Sequence, residues 1–118
     1  MKKKLGVLVV DDNERNRKLL EMILRYEGHT VIMAEDGEIA MNMLKGNTYD
    51  LVMTDLEMPK VNGIELTKFI KKYFPATKVI MVTGYHDIKP SEIAADRLIK
   101  KPFSTGEIRE TIKELFNK

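Results

Sequence analysis

At 118 residues the chain has the length of one compact domain, and its 43% hydrophobic and 32% charged residues are those of an ordinary globular protein rather than a disordered or fibrous one. It holds no cysteine, which excludes disulfides, Cys-ligated zinc and a thiol nucleophile. Net charge is only +2, and the short basic clusters at Lys2 to Lys4, Lys71-Lys72 and Lys100-Lys101 sit among acids, so they read as solvated surface and a basic terminus rather than as a nucleic-acid site.

In chain order, the first predicted element is a strand over residues 5–10, a nearly continuous apolar run. It stops at Asp11-Asp12, too soon for the apolar core of a signal peptide behind Met1-Lys2-Lys3-Lys4. No run approaches the ~18 residues of a membrane helix, so no membrane is expected as a direct partner, just as the scattered charge makes nucleic acid an unexpected one, and a cytoplasmic location is the default expectation. Residues 14–27 read as a helix with Leu19, Met22, Ile23 and Tyr26 on one face, stopped by Gly28. A second strand over 30–34 suits a sheet edge. A helix over 37–45 follows, with Asp36 as N-cap, Ile39, Ala40, Met43 and Leu44 facing inward, and Gly46 as terminator.

Residues 51–54 and 78–82 are again nearly continuous apolar runs, as central parallel strands buried on both faces should be. Between them a helix over 63–73 carries Leu66, Phe69, Ile70 and Tyr73, and Pro75 follows it. The stretch 87–95 contains Pro90 and leaves room for only a short helix. A last strand over 98–100 leads to a final helix opened by the capping-box spacing Ser104-Thr105-Gly106-Glu107, with Ile108, Ile112, Leu115 and Phe116 on one face. Strict alternation of strand and helix with short connections implies an α/β fold with a parallel sheet and helices on both faces. Nothing marks a linker or repeat, so residues 1–118 are expected to form a single domain.

In such a sheet, ligands bind beyond the carboxyl ends of the strands. Asp11, Asp12 and Asn13 follow the first strand and Asp55 the third; Thr83 ends the fourth, and Lys101-Pro102 follow the fifth. At ~5 Å and an effective dielectric of ~20, each pair of carboxylates there repels by roughly 3 kcal/mol. A divalent cation removes that cost, and an all-oxygen site with few ligands suits Mg²⁺. Helix capping explains Asp11-Asp12 equally well by themselves, and Lys101 alone reads as a surface lysine; Asp55 on the neighbouring strand end tips the balance to metal. A carboxylate beside Mg²⁺ and a lysine is a competent nucleophile toward phosphorus. Thr83 and Lys101 would hold the remaining phosphoryl oxygens.

Together, the run Leu5 to Asn13, the segment Asp55-Leu56-Glu57-Met58-Pro59-Lys60-Val61-Asn62-Gly63 and Lys101-Pro102-Phe103 resemble the receiver domain of bacterial two-component response regulators over essentially the whole chain. The resemblance implies a doubly wound, flavodoxin-like five-stranded sheet of order 2-1-3-4-5. It implies Mg²⁺ held by Asp11, Asp12, Asp55 and the backbone carbonyl of Glu57, phosphorylation on Asp55, and Thr83 and Lys101 as its helpers. It also implies a cis Lys101-Pro102 bond, which would aim the lysine inward. The donor would be a sensor histidine kinase or phosphotransfer protein docking near Asn13, Arg15, Asn16 and Leu19. Partner binding would then switch toward a downstream protein target or a phosphorylation-dependent homodimer. Such a domain is a signalling module rather than an enzyme, with self-phosphorylation from small phosphodonors and autodephosphorylation expected. It would be a stand-alone regulator, as in chemotaxis or a sporulation-type phosphorelay, or a part of something larger.

Three departures stand out. Leu98 occupies the position where the family usually has an aromatic residue, Thr83-Gly84 replaces the usual Thr-Ala, and only seventeen residues separate Thr83 from Lys101, fewer than is common. Output through the fourth-helix face is therefore expected to differ, although Leu98 as simple packing is an equal reading. Glu57 and Tyr85 flank the path of a hydrolytic water, and Tyr85 is expected to slow loss of the phosphoryl group. His29 and His86 read as exposed loop residues. Two rivals fit less well: phosphohydrolases of the haloacid dehalogenase type need Asp-x-Asp after the first strand, and a nucleotide-binding domain needs a Gly-rich loop there. A degenerate receiver that only binds protein would lack key residues that are all present here.

Overall fold

A computed structural model of the protein describes residues 4–85 and 87–116. His86, and Lys2 and Lys3 of the basic start, lie outside the described residues. Five strands, β1 (Gly6–Val10), β2 (Thr30–Ala34), β3 (Leu51–Thr54), β4 (Lys78–Thr83) and β5 (Arg97–Lys100), form one parallel sheet of order β2-β1-β3-β4-β5. Four helices accompany them: α1 (Glu14–Tyr26), α2 (Gly37–Gly46), α3 (Gly63–Tyr73) and α4 (Thr105–Phe116). The expected edge position of β2 is what the sheet order gives, and its exposed–buried alternation contrasts with the fully buried β3.

Period-two alternation along the strands divides the core into two layers. Val7 and Val9 of β1, Met53 and Ile80 point to one face, where α1 contributes Leu20, Ile23 and Leu24 and α4 contributes Ile108 and Ile112. Leu8, Val10, Val52 and Val79 point to the other, covered by Ala40 and Leu44 of α2 and by Leu66 and Ile70 of α3. Beyond α3, the second face over β4 and β5 is closed by the connection between them, with Ile88, Leu56 and Met81 buried together and Ile93, Ala95 and Leu98 packed alongside.

Three expectations are corrected. The stripe Leu19-Met22-Ile23-Tyr26 is not the buried face of α1: Leu20, Ile23 and Leu24 face the sheet, while Leu19, Met22 and Tyr26 are 43%, 64% and 84% exposed. Both stripes have helical spacing, and the leucine pair wins because it lies opposite the β1 and β2 valines. The short helix expected in 87–95 is a single 3₁₀ turn, Pro90–Glu92, closed by the Glu92 N–H to Lys89 carbonyl bond. Proline at the start of the turn blocks extension toward Asp87, and the few residues left before β5 cannot repay nucleation. His29 is also more than a loop residue: it is half-buried, and its Nδ1 accepts the Leu5 N–H at 3.1 Å.

Without a helix between β4 and β5, one side chain fixes the chain's return. Asp96 accepts both the Lys71 ammonium at 2.6 Å and the Val79 N–H at 2.8 Å, and its own N–H donates to the Val79 carbonyl. Burial would raise its carboxyl pKa, but these two donors and the nearby charges of Lys71 and Lys78 hold it below the ordinary value. Its contribution is therefore present above the unfolded pKa and lost as pH falls through the lower folded one. Asp96→Ala, which strands the Lys71 ammonium and the Val79 N–H, should cost about 1–3 kcal/mol in urea unfolding at pH 7, with the difference from the native protein shrinking toward pH 3. An equal cost at both pH values would contradict this assignment.

Candidate functional site

The strand ends that carry the acidic residues are locked to one another before any side chain is considered. The Asp11 N–H donates to the Ala34 carbonyl, the Asp55 N–H to the Val10 carbonyl and the Lys101 N–H to the Thr83 carbonyl, which brings the ends of all five strands onto one edge. Asn13 caps α1 through its side chain, so the β1–α1 turn is rigid where Asp11 and Asp12 stand. The Asp11 carbonyl accepts the Arg17 guanidinium at 2.7 Å, tying the same turn to α1.

Asp11, Asp12 and Asp55 each offer a carboxylate oxygen, and these lie within 4.8 Å of one another. Asp11 is buried, Asp55 half-buried and Asp12 exposed. Lys101 Nζ reaches into the group, 3.3 Å from Asp11 Oδ2 and 3.8 Å from Asp55 Oδ1. The Lys101-Pro102 peptide is cis. Backbone donors add to the set: the Asn13 N–H donates to Asp11 Oδ1 at 2.9 Å and the Leu56 N–H to Asp55 Oδ1 at 2.8 Å. A residue pattern cannot reveal these two donors, because every residue except proline carries the same N–H.

The β3–α3 loop that presents Asp55 is tightly built. Thr54 Oγ1 donates to the Asp55 carbonyl, and the Gly63 N–H to the Leu56 carbonyl. A Cβ on Gly63 would lie 2.2 Å from the Asp55 carbonyl oxygen, so only glycine lets α3 begin this close to the site. Lys60 has a positive φ of 70° and sits between Pro59 and Val61, whose carbonyl and N–H join at 2.8 Å in a γ-turn. Its ammonium lies 3.6 Å from Glu38 and 3.9 Å from Asp36, the α2 N-cap. The loop is thus pinned to α2, which the sequence did not signal.

The remaining expected residues are placed differently. Thr83 closes β4, almost fully buried, and its hydroxyl accepts the Tyr85 N–H at 3.1 Å. Tyr85 is half-exposed beside it. Glu57 is exposed in the loop two residues past Asp55.

The charge balance of the site is uneven. Burial pushes the Asp55 carboxyl up to about 6; Lys101 opposes this, Asp11 raises it further, the Leu56 N–H lowers it, and Asp12 adds to the rise. Hard oxygen donors with more negative charge than one lysine can balance are the donor set that a small divalent cation fits. Because the folded value lies above the ordinary 3.8, metal-free stability should fall as pH rises from about 4 to about 6. Asp55→Asn should then raise the melting temperature of the metal-free protein at pH 7 by about 4 °C. Added Mg²⁺ should raise that of the native protein far more than that of the variant. A lower melting temperature for the variant without metal would show that the Asp55 charge is not a strained one.

Comparison with known proteins places this geometry. Residues 7–113 match the response regulator receiver domain family. The chain is 36% identical over 116 residues to the transcriptional regulatory protein ResD of Bacillus subtilis, covering 95% of this chain and 48% of that protein. It is 30% identical to the autoinducer 1 sensor kinase/phosphatase LuxN of Vibrio harveyi, covering 95% of this chain and 14% of LuxN. The chain therefore spans about half the length, or less, of these curated relatives. Among solved structures, the response regulator TrrA of Thermotoga maritima, determined in complex with Mg²⁺-BeF, superposes with a TM-score of 0.88 at 37% identity over 97% of this chain and all of that one. A CheY-like receiver domain protein of Methanospirillum hungatei gives 0.89 at 29% identity, over 98% and 95%. By sequence match, sheet order and the acidic cluster at the strand ends, the chain belongs to the response regulator receiver domain family.

Proposed function

We propose that Asp55 is the phosphoacceptor of this receiver domain, and the observation that carries the reading is its carboxylate held among Asp11, Asp12 and the Lys101 ammonium. The three aspartates, with the backbone carbonyl of Glu57, would hold Mg²⁺. When bound, that ion neutralises charge on the carboxylates and on the incoming phosphoryl oxygens. An Asp55 carboxylate oxygen attacks phosphorus; the bond from phosphorus to the donor's leaving atom breaks, and the leaving group departs with the electron pair. Lys101, already near Asp55, shifts from pairing carboxylates to pairing a phosphoryl oxygen. The Thr83 hydroxyl, now accepting from Tyr85, turns to donate to another.

The donor is a sensor histidine kinase or a phosphotransfer protein. Its docking surface is the exposed side of α1, where Leu19 follows Arg15 by one turn and Met22 lies about a turn further from the N-cap Asn13. Small acyl phosphates serve as donors without a partner, and the downstream target and any phosphorylation-dependent homodimer lie on the output side. That output passes through Leu56: its N–H touches the Asp55 carboxylate, while its side chain is buried against Ile88 and Met81 with Leu98 alongside. With Leu98 in place of an aromatic, movement at Asp55 reaches the β4–β5 connection through this aliphatic contact.

Incubation with Mg²⁺ and acetyl phosphate should add one phosphoryl group by intact mass, lost in Asp55→Asn and without metal, and slowed on the order of tenfold or more in Lys101→Ala. No gain, together with no binding of beryllofluoride, would leave a protein-binding module instead. In the phosphorylated protein, Tyr85→Ala should speed loss of the phosphoryl group, since the half-exposed ring beside Thr83 screens the site from water; an unchanged rate would remove that role.

A further inference from the structure

The edge of the molecule opposite the aspartates carries a feature that the phosphorylation chemistry does not use. The C-terminal ends of α2 and α3 leave a groove of about 290 Å³, lined by Lys45, Phe69, Tyr73 and Phe74. Phe69 lies 5.2 Å from Tyr73 and 5.9 Å from Phe74 between ring centroids, with both pairs tilted by about 50°. Tyr73 is 58% exposed, a large aromatic ring standing half in solvent.

Charge around the groove has one sign. Residues 40–46 and 66–74 contain four lysines and no aspartate or glutamate. Lys71 is consumed by Asp96, whereas Lys45, Lys68 and Lys72 form no ion pair among the described residues. The lysines partly answer the negative C-terminal ends of the two helices. The Lys45 ammonium in the groove wall and the Lys72 ammonium over the Tyr73 ring still exceed what two helix ends of about half a charge each require.

We propose that this groove is a docking site for an acidic segment of a partner protein, which inserts one apolar or aromatic side chain between Lys45 and the Phe69–Tyr73–Phe74 wall while its carboxylates meet Lys45 and Lys72. The volume is at the bottom of the ~300–1,000 Å³ range of small-molecule clefts, which suits one large side chain better than a whole metabolite. Stacked nucleobases are disfavoured because the ring faces are already taken: Lys72 Nζ sits 5.2 Å above the Tyr73 ring, and Phe69 is wedged between two tilted rings. An aromatic anchor with a charged rim is the usual anatomy of a protein contact. The groove lies away from Asp55, so the segment binds whether or not Asp55 is phosphorylated.

The test uses the full chain, isotope-labelled, and amide and ring resonances followed by NMR. Four probes are compared: a short acidic peptide with a central Leu-Phe, the same peptide with lysines for the acids, the acidic peptide with Ser-Ser for Leu-Phe, and an oligothymidine. The first should shift Lys45, Phe69, Tyr73 and Phe74 with a dissociation constant on the order of 100 µM, and the other three should not. Affinity should fall about tenfold in Tyr73→Ser and in Lys45→Glu, both surface changes that should leave the melting temperature and Asp55 phosphorylation intact, and should weaken with added salt. Absence of groove shifts at millimolar acidic peptide, an equal response to the lysine peptide, or a stronger response to oligothymidine would each overturn the proposal.

Discussion

Carboxylates of Asp11, Asp12 and Asp55 share a few ångströms at one edge of the sheet, and a single ammonium, Lys101, stands among them. One positive charge cannot balance three negative ones, and burial makes the imbalance worse for Asp55. The domain tolerates this because the backbone leaves it no alternative. The Asp11 and Asp55 amides are committed to neighbouring strands, and the turns after β1 and β3 are held by Asn13 and by Gly63. Repulsion that would open a flexible loop is instead held in a rigid cluster of hard oxygen donors, the kind of set that a small divalent cation fits.

The same tight packing extends along the loop that leads away from the site. The loop from Asp55 to Gly63 has little slack: it contains a γ-turn at Lys60, an ion-pair anchor to α2 and a helix start that accepts only glycine. Within it, Leu56 is joined at its backbone to Asp55 and at its side chain to Ile88 and Met81. The connection bearing Ile88 has one 3₁₀ turn and is fastened at its far end by Asp96. Among the described residues, few backbone hydrogen bonds lie between those two anchors, which is the condition under which a segment rearranges at low cost.

Much of the fold was legible from periodicity. The β1, β3 and β4 runs are apolar because both faces are covered, and the alternation of strand and helix left one plausible class. The aspartates, Thr83 and Lys101 were legible because their positions at strand ends follow from the strands themselves. What escaped had no local signature. Two stripes on α1 obey the same helical spacing, and only the sheet decides that Leu20 and Leu24 are inside while Met22 and Tyr26 are outside. Lys60 in a positive-φ turn, Asp96 joining Lys71 to Val79 and His29 receiving the Leu5 N–H all depend on partners 17 to 25 residues away, or on a backbone conformation that an ordinary side chain does not announce.

If uncompensated charge at the strand ends is what the site is built around, cation binding must be coupled to the proton on Asp55. Isothermal titration of Mg²⁺ into the metal-free protein, in two buffers of different ionisation enthalpy, measures that proton directly. About half a proton should be released per Mg²⁺ at pH 6, falling to none by pH 8. Binding without proton release at pH 6, or no Mg²⁺ binding at all, would contradict it.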